Sequence, residues 1–488
     1  MGQGVGVLSS GFSVPGSQYT VTHPRLLIIG LDCAEPSLAF DQWRADLPTL
    51  NRLMAEGVYG ELESCIPAIT VPAWSCMMSG RDPGELGVYG FRNRADRSYG
   101  RMVVADSRAI RFPRLWDILG NAGWRVAVIG VPGTYPPPPV NGALISCFLA
   151  PSTDAAYTFP PTLAGRVAAW TAAATPGRPY LLDVPDFRSD DKQRITRDIY
   201  AMCDQRFAVA TALLEEEHPD FLMLVDMGVD RIHHALWKHM DPRHPLFVPD
   251  SPFADAIRAY YRHVDAQIAG LLTRCGPDTA VLIVSDHGAR PLMGGVRINQ
   301  WLIEQGDLSV RAMPDTPTSL DQVEVDWSRT RVWGAGGYYG RIFLNVRGRE
   351  PQGTISAAEY ERVRTDLAAR LEAMPGPDGR PLGNRVFTPR QLYRAVRGIA
   401  PDLIVYFGDL GWRAVGTIGG TGIFTQENDT GPDDANHAQH GMFIWRDPQR
   451  PGGGRRFDGV QIYDILPTLL RRFNMPIPEG LRGTALNL

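Results

Sequence analysis

Carboxylates and imidazoles recur in this chain where apolar runs end. Arg25 to Leu31 ends in Asp32. Phe221 to Val225 ends in Asp226, with Asp230, His233 and His234 just beyond. Thr279 to Ser285 ends in Asp286-His287-Gly288, and His437 and His440 stand just ahead of Met442 to Trp445. Asp oxygens and His nitrogens suit Zn2+ or Mn2+. One such position means little, since turns after strands use the same residues. Four together are hard to obtain from packing. Two metals close to one another would hold a phosphoryl group and activate a hydroxyl as nucleophile. Thr70 offers such a hydroxyl. It precedes Pro72 and a helical run from Ala73 to Met78, so it stands at a helix N-terminus, where free N–H groups and the dipole favour an anion. An ordinary helix cap uses a Thr in the same way.

These residues need elements that bring them to one edge. The runs Arg25–Asp32, Trp124–Val131, Phe221–Asp226 and Thr279–Ser285 read as strands buried on both faces, as in a parallel sheet. Helical stretches separate them: one carrying Leu47, Leu50, Leu53 and Met54 and stopped by Gly57, then Arg114–Asn121, Asp191–Glu217 and Ile257–Arg274. Asp230 and His234, four apart, share a face of a helix. Alternating strands and helices predict an α/β fold with a mostly parallel sheet covered on both sides, and in such sheets sites form at the carboxyl edge. The expected divisions are a disordered leader over 1–23, a catalytic α/β core over 24–305 with an excursion at about 151–190, an inserted α+β subdomain over 306–400, and the rest of the core over 401–488. Ala400–Phe407 reads as the return to the main sheet, and Gln461–Phe473 as a closing helix.

The chain has 488 residues, 44% hydrophobic and 21% charged, with a net charge of −4. That balance gives no bulk attraction for nucleic acid or an anionic membrane. No apolar run approaches the roughly 20 residues of a membrane span. The N-terminal stretch lacks the basic and apolar regions of a secretory signal. The six cysteines are dispersed, with no C-x-x-C pair. They read as reduced thiols of a cytoplasmic protein.

The pieces in their order resemble the alkaline phosphatase superfamily, in particular its type I phosphodiesterase/nucleotide pyrophosphatase branch. The resemblance is carried by Ile29–Asp32, Pro67–Pro72, Asp230–His234, Ser285–Gly288, Asn436-His437 ahead of Gly441–Ile444, and Tyr463–Thr468. It covers roughly residues 24–150, 190–305 and 400–488. It implies a three-layer α/β/α fold and two divalent metals, Zn2+ or alternatively Mn2+. By resemblance, Asp32, Asp286 and His287 would hold one metal, with Thr70 bound to it as the nucleophile. Asp230, His234 and His437 would hold the other; the family's spacings favour His234 over His233 and His437 over His440. The implied activity is hydrolysis of a small-molecule phosphoester, first a phosphodiester, through a phospho-threonine on Thr70. A phosphomonoesterase or phosphomutase is the alternative, and a non-catalytic phosphate binder a third reading.

Three departures from the pattern shape the expectations. Cys65-Ile66-Pro67-Ala68-Ile69 lacks the Arg that sulfatases of the superfamily need, which argues against a sulfatase. Where the nucleotide pyrophosphatases hold a phosphoryl oxygen with an Asn, Phe91 stands here, with Asn93 two residues on. The disulfide framework of secreted members is missing. Substrate contacts are expected from Asn93, Arg94, Tyr135 and Lys238, with Arg92, Tyr89 and Trp237 beside them.

Overall fold

The computed structural model describes residues 24–487; the leader expected over 1–23 lies outside them. A ten-stranded sheet organises the main body. Its strands include β1 (Leu26–Leu31), β2 (Val58–Glu63), β3 (Val126–Ile129), β4 (Gly142–Ile145), β5 (Thr158–Phe159), β6 (Phe221–Asp226) and β7 (Ala280–Val284). Farther along come β8 (Gly288–Pro291), β9 (Val332–Ala335), β10 (Gly340–Leu344), β11 (Arg385–Phe387), β12 (Leu403–Tyr406), β13 (Ala435–Ala438) and β14 (His440–Arg446). Of these, β8 to β13 lie outside the main sheet.

The central order runs β2-β14-β7-β1-β6-β3-β4-β5. Strands β7, β1, β6, β3 and β4 are mutually parallel, while β5 and β14 run antiparallel to their neighbours. β1, β6 and β7 are buried along their whole length. This is why their sequences are unbroken apolar runs rather than alternating ones. On the helical layers, α1 (Pro48–Glu56), α2 (Thr70–Ser79), α3 (Lys192–Glu217), α4 (Gly228–Met240) and α5 (Ala256–Leu272) follow in chain order. α3, α4 and α5 pack on one another, and α2 packs on the closing helix Ile462–Arg472.

Register explains how the site is assembled. Leu31 pairs with Asp226 and Gly30 with Val284, so Asp32, Asp226 and Asp286 leave the sheet at one carboxyl edge. β14 is antiparallel to β7, with Phe443 opposite Val284, so it starts where its neighbours end. His437, just before it, therefore arrives at the same edge. A short antiparallel pair, β8 with β13, sets Ala289 opposite His437 and ties it to the loop carrying His287. β2 ends opposite His440, so the loop to Thr70 begins there too. Gly30 has a packing reason: a Cβ there would lie 2.4 Å from the Trp74 ring.

The run 400–407 does not return to the main sheet. Leu403–Tyr406 (β12) pairs antiparallel with β10 and β11, in a separate four-stranded sheet of order β9-β10-β12-β11. It is buried on both faces, so it has the same apolar signature as a central strand, which the pattern alone does not separate. That smaller sheet shares a second apolar core, including Leu344, Leu367 and Val405, with Trp301 and Leu302 of the helix Ile298–Glu304. The inserted layer thus draws on residues before 306 and after 400, and the chain rejoins the main sheet at β14.

Candidate metal centre

Two groups of ligand-type side chains meet at the carboxyl edge: Asp32, Asp286 and His287, and Asp230, His234 and His437. Within each group, one donor atom per residue lies within 4.8 Å of the others. In the first, His287 Nε2 is 3.1 Å from Asp286 Oδ2 and 3.9 Å from Asp32 Oδ1. In the second, Asp230 Oδ1 is 3.2 Å from His234 Nε2 and 3.8 Å from His437 Nε2. The groups abut, since the His287 and His437 rings stack with centroids 3.8 Å apart. Asp230 and His234 stand one turn apart on α4, on the same face as their spacing requires. Thr70 is the first residue of α2 and only 2% exposed. Its Oγ1 lies 3.4 Å from His287 Nε2.

Each of these acids and imidazoles is held from outside by its other polar atom. Trp74 Nε1 donates to Asp32 Oδ2 at 2.6 Å, and the Cys33 amide donates to Asp286 Oδ1 at 3.2 Å. Arg231 holds Asp230 Oδ2. Nδ1 of His287 donates to the Gly288 carbonyl (3.2 Å), that of His437 to the Ala68 carbonyl (3.0 Å) and that of His234 to Asp433 (2.6 Å). The inward atoms Asp32 Oδ1, Asp286 Oδ2, Asp230 Oδ1, His234 Nε2 and His437 Nε2 are buried without a hydrogen-bond partner among the described residues. Buried polar atoms are normally paired. Anchored outer atoms and bare inner ones are what metal ligands require.

The electrostatics agree. Burial pushes Asp32 well above the carboxylate range, reinforced by Asp230; burial does the same to Asp286, reinforced by Asp32. These acids crowd one another, and a bound cation would relieve that repulsion. Burial lowers the His287 imidazole to about 4, and burial with neighbouring His287 and His234 lowers His437 well below its usual value. Both rings are therefore neutral, the form that binds metal. Burial opposes the charged form of Asp230, yet His234 and Arg231 hold its carboxyl well below the usual range.

A family model described as type I phosphodiesterase/nucleotide pyrophosphatase matches residues 26–442, most of the chain. The chain belongs to that family. It is a metal-dependent phosphoester hydrolase. No curated protein matches its sequence. Among solved structures, phosphonoacetate hydrolase from Sinorhizobium meliloti 1021, bound to phosphonoformate, aligns with 18% identity and a TM-score of 0.57, covering 93% of this chain and 97% of that one. Human ectonucleotide pyrophosphatase/phosphodiesterase 5 aligns with 14% identity and a TM-score of 0.54, covering 94% and 97%. At such identities the likeness is one of fold, and it matches the three-layer α/β/α architecture expected. No described helix of this phosphodiesterase-family chain is long and apolar enough to cross a membrane.

The expected substrate contacts fare differently. Asn93 closes its own loop: Oδ1 accepts from the Tyr89 amide at 2.8 Å, and Nδ2 donates to the Gly90 carbonyl at 3.1 Å. The Arg94 side chain is 1% exposed, pairs with Glu350 at 3.2 Å and donates to the carbonyls of Arg97 and Ser98. Lys238 pairs with Asp434 at 3.3 Å. Tyr135 packs half-buried against the main core. Tyr89 OH donates to the Arg397 carbonyl, and Trp237 Nε1 to Asp241. Arg92 is exposed. His233 is buried beside the Tyr261 hydroxyl, and His440 is exposed.

Sequence reasoning missed the residues that brace the second group. Asp433 holds His234 and also accepts from Arg188 Nε (3.0 Å) and Arg413 Nη1 (3.2 Å). Asp183 grips Arg231 with both oxygens, at 2.7 and 2.8 Å. Tyr338 stacks on His437 with centroids 4.1 Å apart. Asp433, Arg188, Asp183 and Tyr338 arrive on loops whose sequence has no periodicity, and Arg413 on the three-residue strand Arg413–Val415. The one available pointer was the position of Asp433, four residues before His437.

Proposed function

We propose that the chain is a two-metal phosphodiesterase that acts through a covalent phospho-threonine on Thr70. Asp32, Asp286 and His287, with Thr70, would hold one divalent cation, and Asp230, His234 and His437 the other. Zn2+ suits these donors best, with Mn2+ the alternative. When bound, such ions supply Lewis acidity toward phosphoryl oxygens and lower the pKa of a hydroxyl or a water. The observation that carries this reading is the set of bare inward atoms on anchored side chains, with the Thr70 hydroxyl 3.4 Å from His287 of the same centre.

In the first step Thr70 Oγ1 attacks phosphorus. The new P–Oγ1 bond forms as the P–O bond to the alcohol breaks, and the alcohol departs with the proton Thr70 has lost. Water then attacks the phospho-threonine, the P–Oγ1 bond breaks, and Thr70 regains its proton. α2 fixes Oγ1 at the mouth of the site. Trp74, Cys33, Arg231 and Asp433 fix the acids and rings around it, so little reorganisation is needed during the reaction. The six cysteines are unpaired, which supports a reducing compartment, the cytoplasm.

The test compares Zn2+-loaded wild type with Thr70→Ala on bis(p-nitrophenyl) phosphate and p-nitrophenyl phosphate. Wild type should favour the diester, and Thr70→Ala should lose at least about a thousandfold in kcat. A fully active Thr70→Ala removes Thr70 from the mechanism. Preference for the monoester moves the activity to a phosphomonoesterase.

A further inference from the structure

The excursion after β5 closes over the Asp230/His234/His437 group. Asp183 clamps Arg231, which in turn holds Asp230. The Phe187 ring lies 6.3 Å from that of His234. Arg188 Nε donates to Asp433, the carboxylate that holds His234 Nδ1. These three residues, with Phe148, Tyr180 and Thr430, help line a cavity of about 660 Å3, well inside the roughly 300–1,000 Å3 of small-molecule sites.

Arg188 is the only cation among the described residues lining that cavity. Its guanidinium is fixed at two nitrogens, Nε on Asp433 and Nη2 on the Tyr338 hydroxyl. Nη1 has no partner among the described residues, and the side chain is 22% exposed. A planar guanidinium held on one side and open on the other is preorganised to take an anion. Of the two acids in the wall, Asp183 is neutralised by Arg231, and Asp186 is exposed to solvent. Of the remaining lining residues, Phe148, Leu182 and Phe187 offer apolar surface to an organic body, and Ser152, Thr153, Tyr180 and Thr430 add hydroxyls.

We propose that this cavity is the leaving-group subsite, and that Arg188 reads an anionic group, carboxylate or phosphate-like, on the departing alcohol. The inference rests on the mechanism above: with Thr70 on the Asp32/Asp286/His287 side, the departing oxygen is assigned to the Asp230/His234/His437 side. Arg188 is joined to that group through Asp433, so an anion on it lies on the leaving side, away from Thr70.

A single mixed diester tests this by internal competition. Phenyl 3-carboxyphenyl phosphate can release either phenol or 3-hydroxybenzoate, whose leaving abilities are close. The Zn2+-loaded full chain should release 3-hydroxybenzoate over phenol by at least about tenfold, the scale of one charge-assisted contact. Arg188→Gln should bring that ratio near one, and Arg188→Lys should keep part of it, each read at saturating Zn2+ because Arg188 also braces Asp433. The same diester with a 3-phosphono group tells which anion fits better. A wild-type ratio near one overturns the proposal even if Arg188→Gln fails to fold, and so does an unchanged ratio in a folded, metal-loaded Arg188→Gln. If wild type also leaves bis(p-nitrophenyl) phosphate intact, the mechanism itself is wrong and the subsite falls with it.

Discussion

Asp433 Oδ1 lies 2.6 Å from Nδ1 of His234, with both side chains shielded from solvent. That bond fixes which ring nitrogen faces inward and raises its basicity toward a metal. Asp433 also accepts from Arg188 and Arg413. One carboxylate thus joins the excursion, the inserted layer and the metal centre.

Asp433→Asn keeps the size of the side chain and removes its charge. The affinity of the Asp230/His234/His437 group for metal should fall by about 10–100-fold, while the Asp32/Asp286/His287 group retains its ion. Titration with a graded metal buffer reads the two sites separately. Equal weakening of both sites would show that Asp433 acts on the fold at large and not through His234.

Metal uptake should also depend on pH. Burial opposes protonation of His234, but Asp433 and Asp230 raise it from 6.5 to about 9. Below that value the metal-free ring carries a proton that binding must displace. Uptake at this group should strengthen by about tenfold per pH unit between 6.5 and 9 from this ring alone, then level off. The sign for the metal-free fold is opposite. A raised imidazole pKa stabilises below the ordinary histidine range, and the contribution is lost as pH rises through about 9. Chelator competition and thermal unfolding across this window check both trends; a flat affinity profile rules out a protonated His234.

Arg94 is assigned to structure by its burial. Glu350 pairs with it at 3.2 Å, and the Glu350 side chain is fully buried. Arg349 also pairs with Glu350, at 2.8 Å. Glu350→Gln leaves a buried guanidinium without its counter-charge, which should destabilise by about 3 kcal/mol. Denaturant unfolding measures this. A stability change below about 1 kcal/mol would mean that the pair behaves like a surface ion pair, and would return Arg94 to the pool of substrate contacts.

The residues proposed for the metal centre could be picked out because sheet geometry marks their positions in the sequence and the family resemblance suggests their roles. Asp32 and Asp286 follow unbroken apolar runs, and in a parallel sheet all such runs end at one edge. Asp230 and His234 carry the spacing of one helical turn. His437 was harder, since it comes from the short strand Ala435–Ala438 and only its place before the run Met442 to Trp445 gave it away. Asp433 offered only its place four residues before His437. It stands 199 residues from His234 in sequence, and no local pattern links them. Arg188 and Asp183 lie in a Pro- and Asp-rich loop whose path is set by tertiary contacts. Leu403–Tyr406 misled for the reverse reason: burial on both faces looks the same in either sheet. Asn93 and Arg94 stood beside motif residues in sequence, but their polar atoms are spent on Gly90, Tyr89 and Glu350.

The most direct measurement is metal content per chain, by mass spectrometry of the elements, for wild type, Asp286→Ala, Asp230→Ala and the double variant after Zn2+ loading. Two ions in wild type, one in each single variant and none in the double variant are expected from two groups of three anchored ligands. Wild-type content well below two, or an Asp286→Ala protein that still holds two, would contradict the two-metal centre.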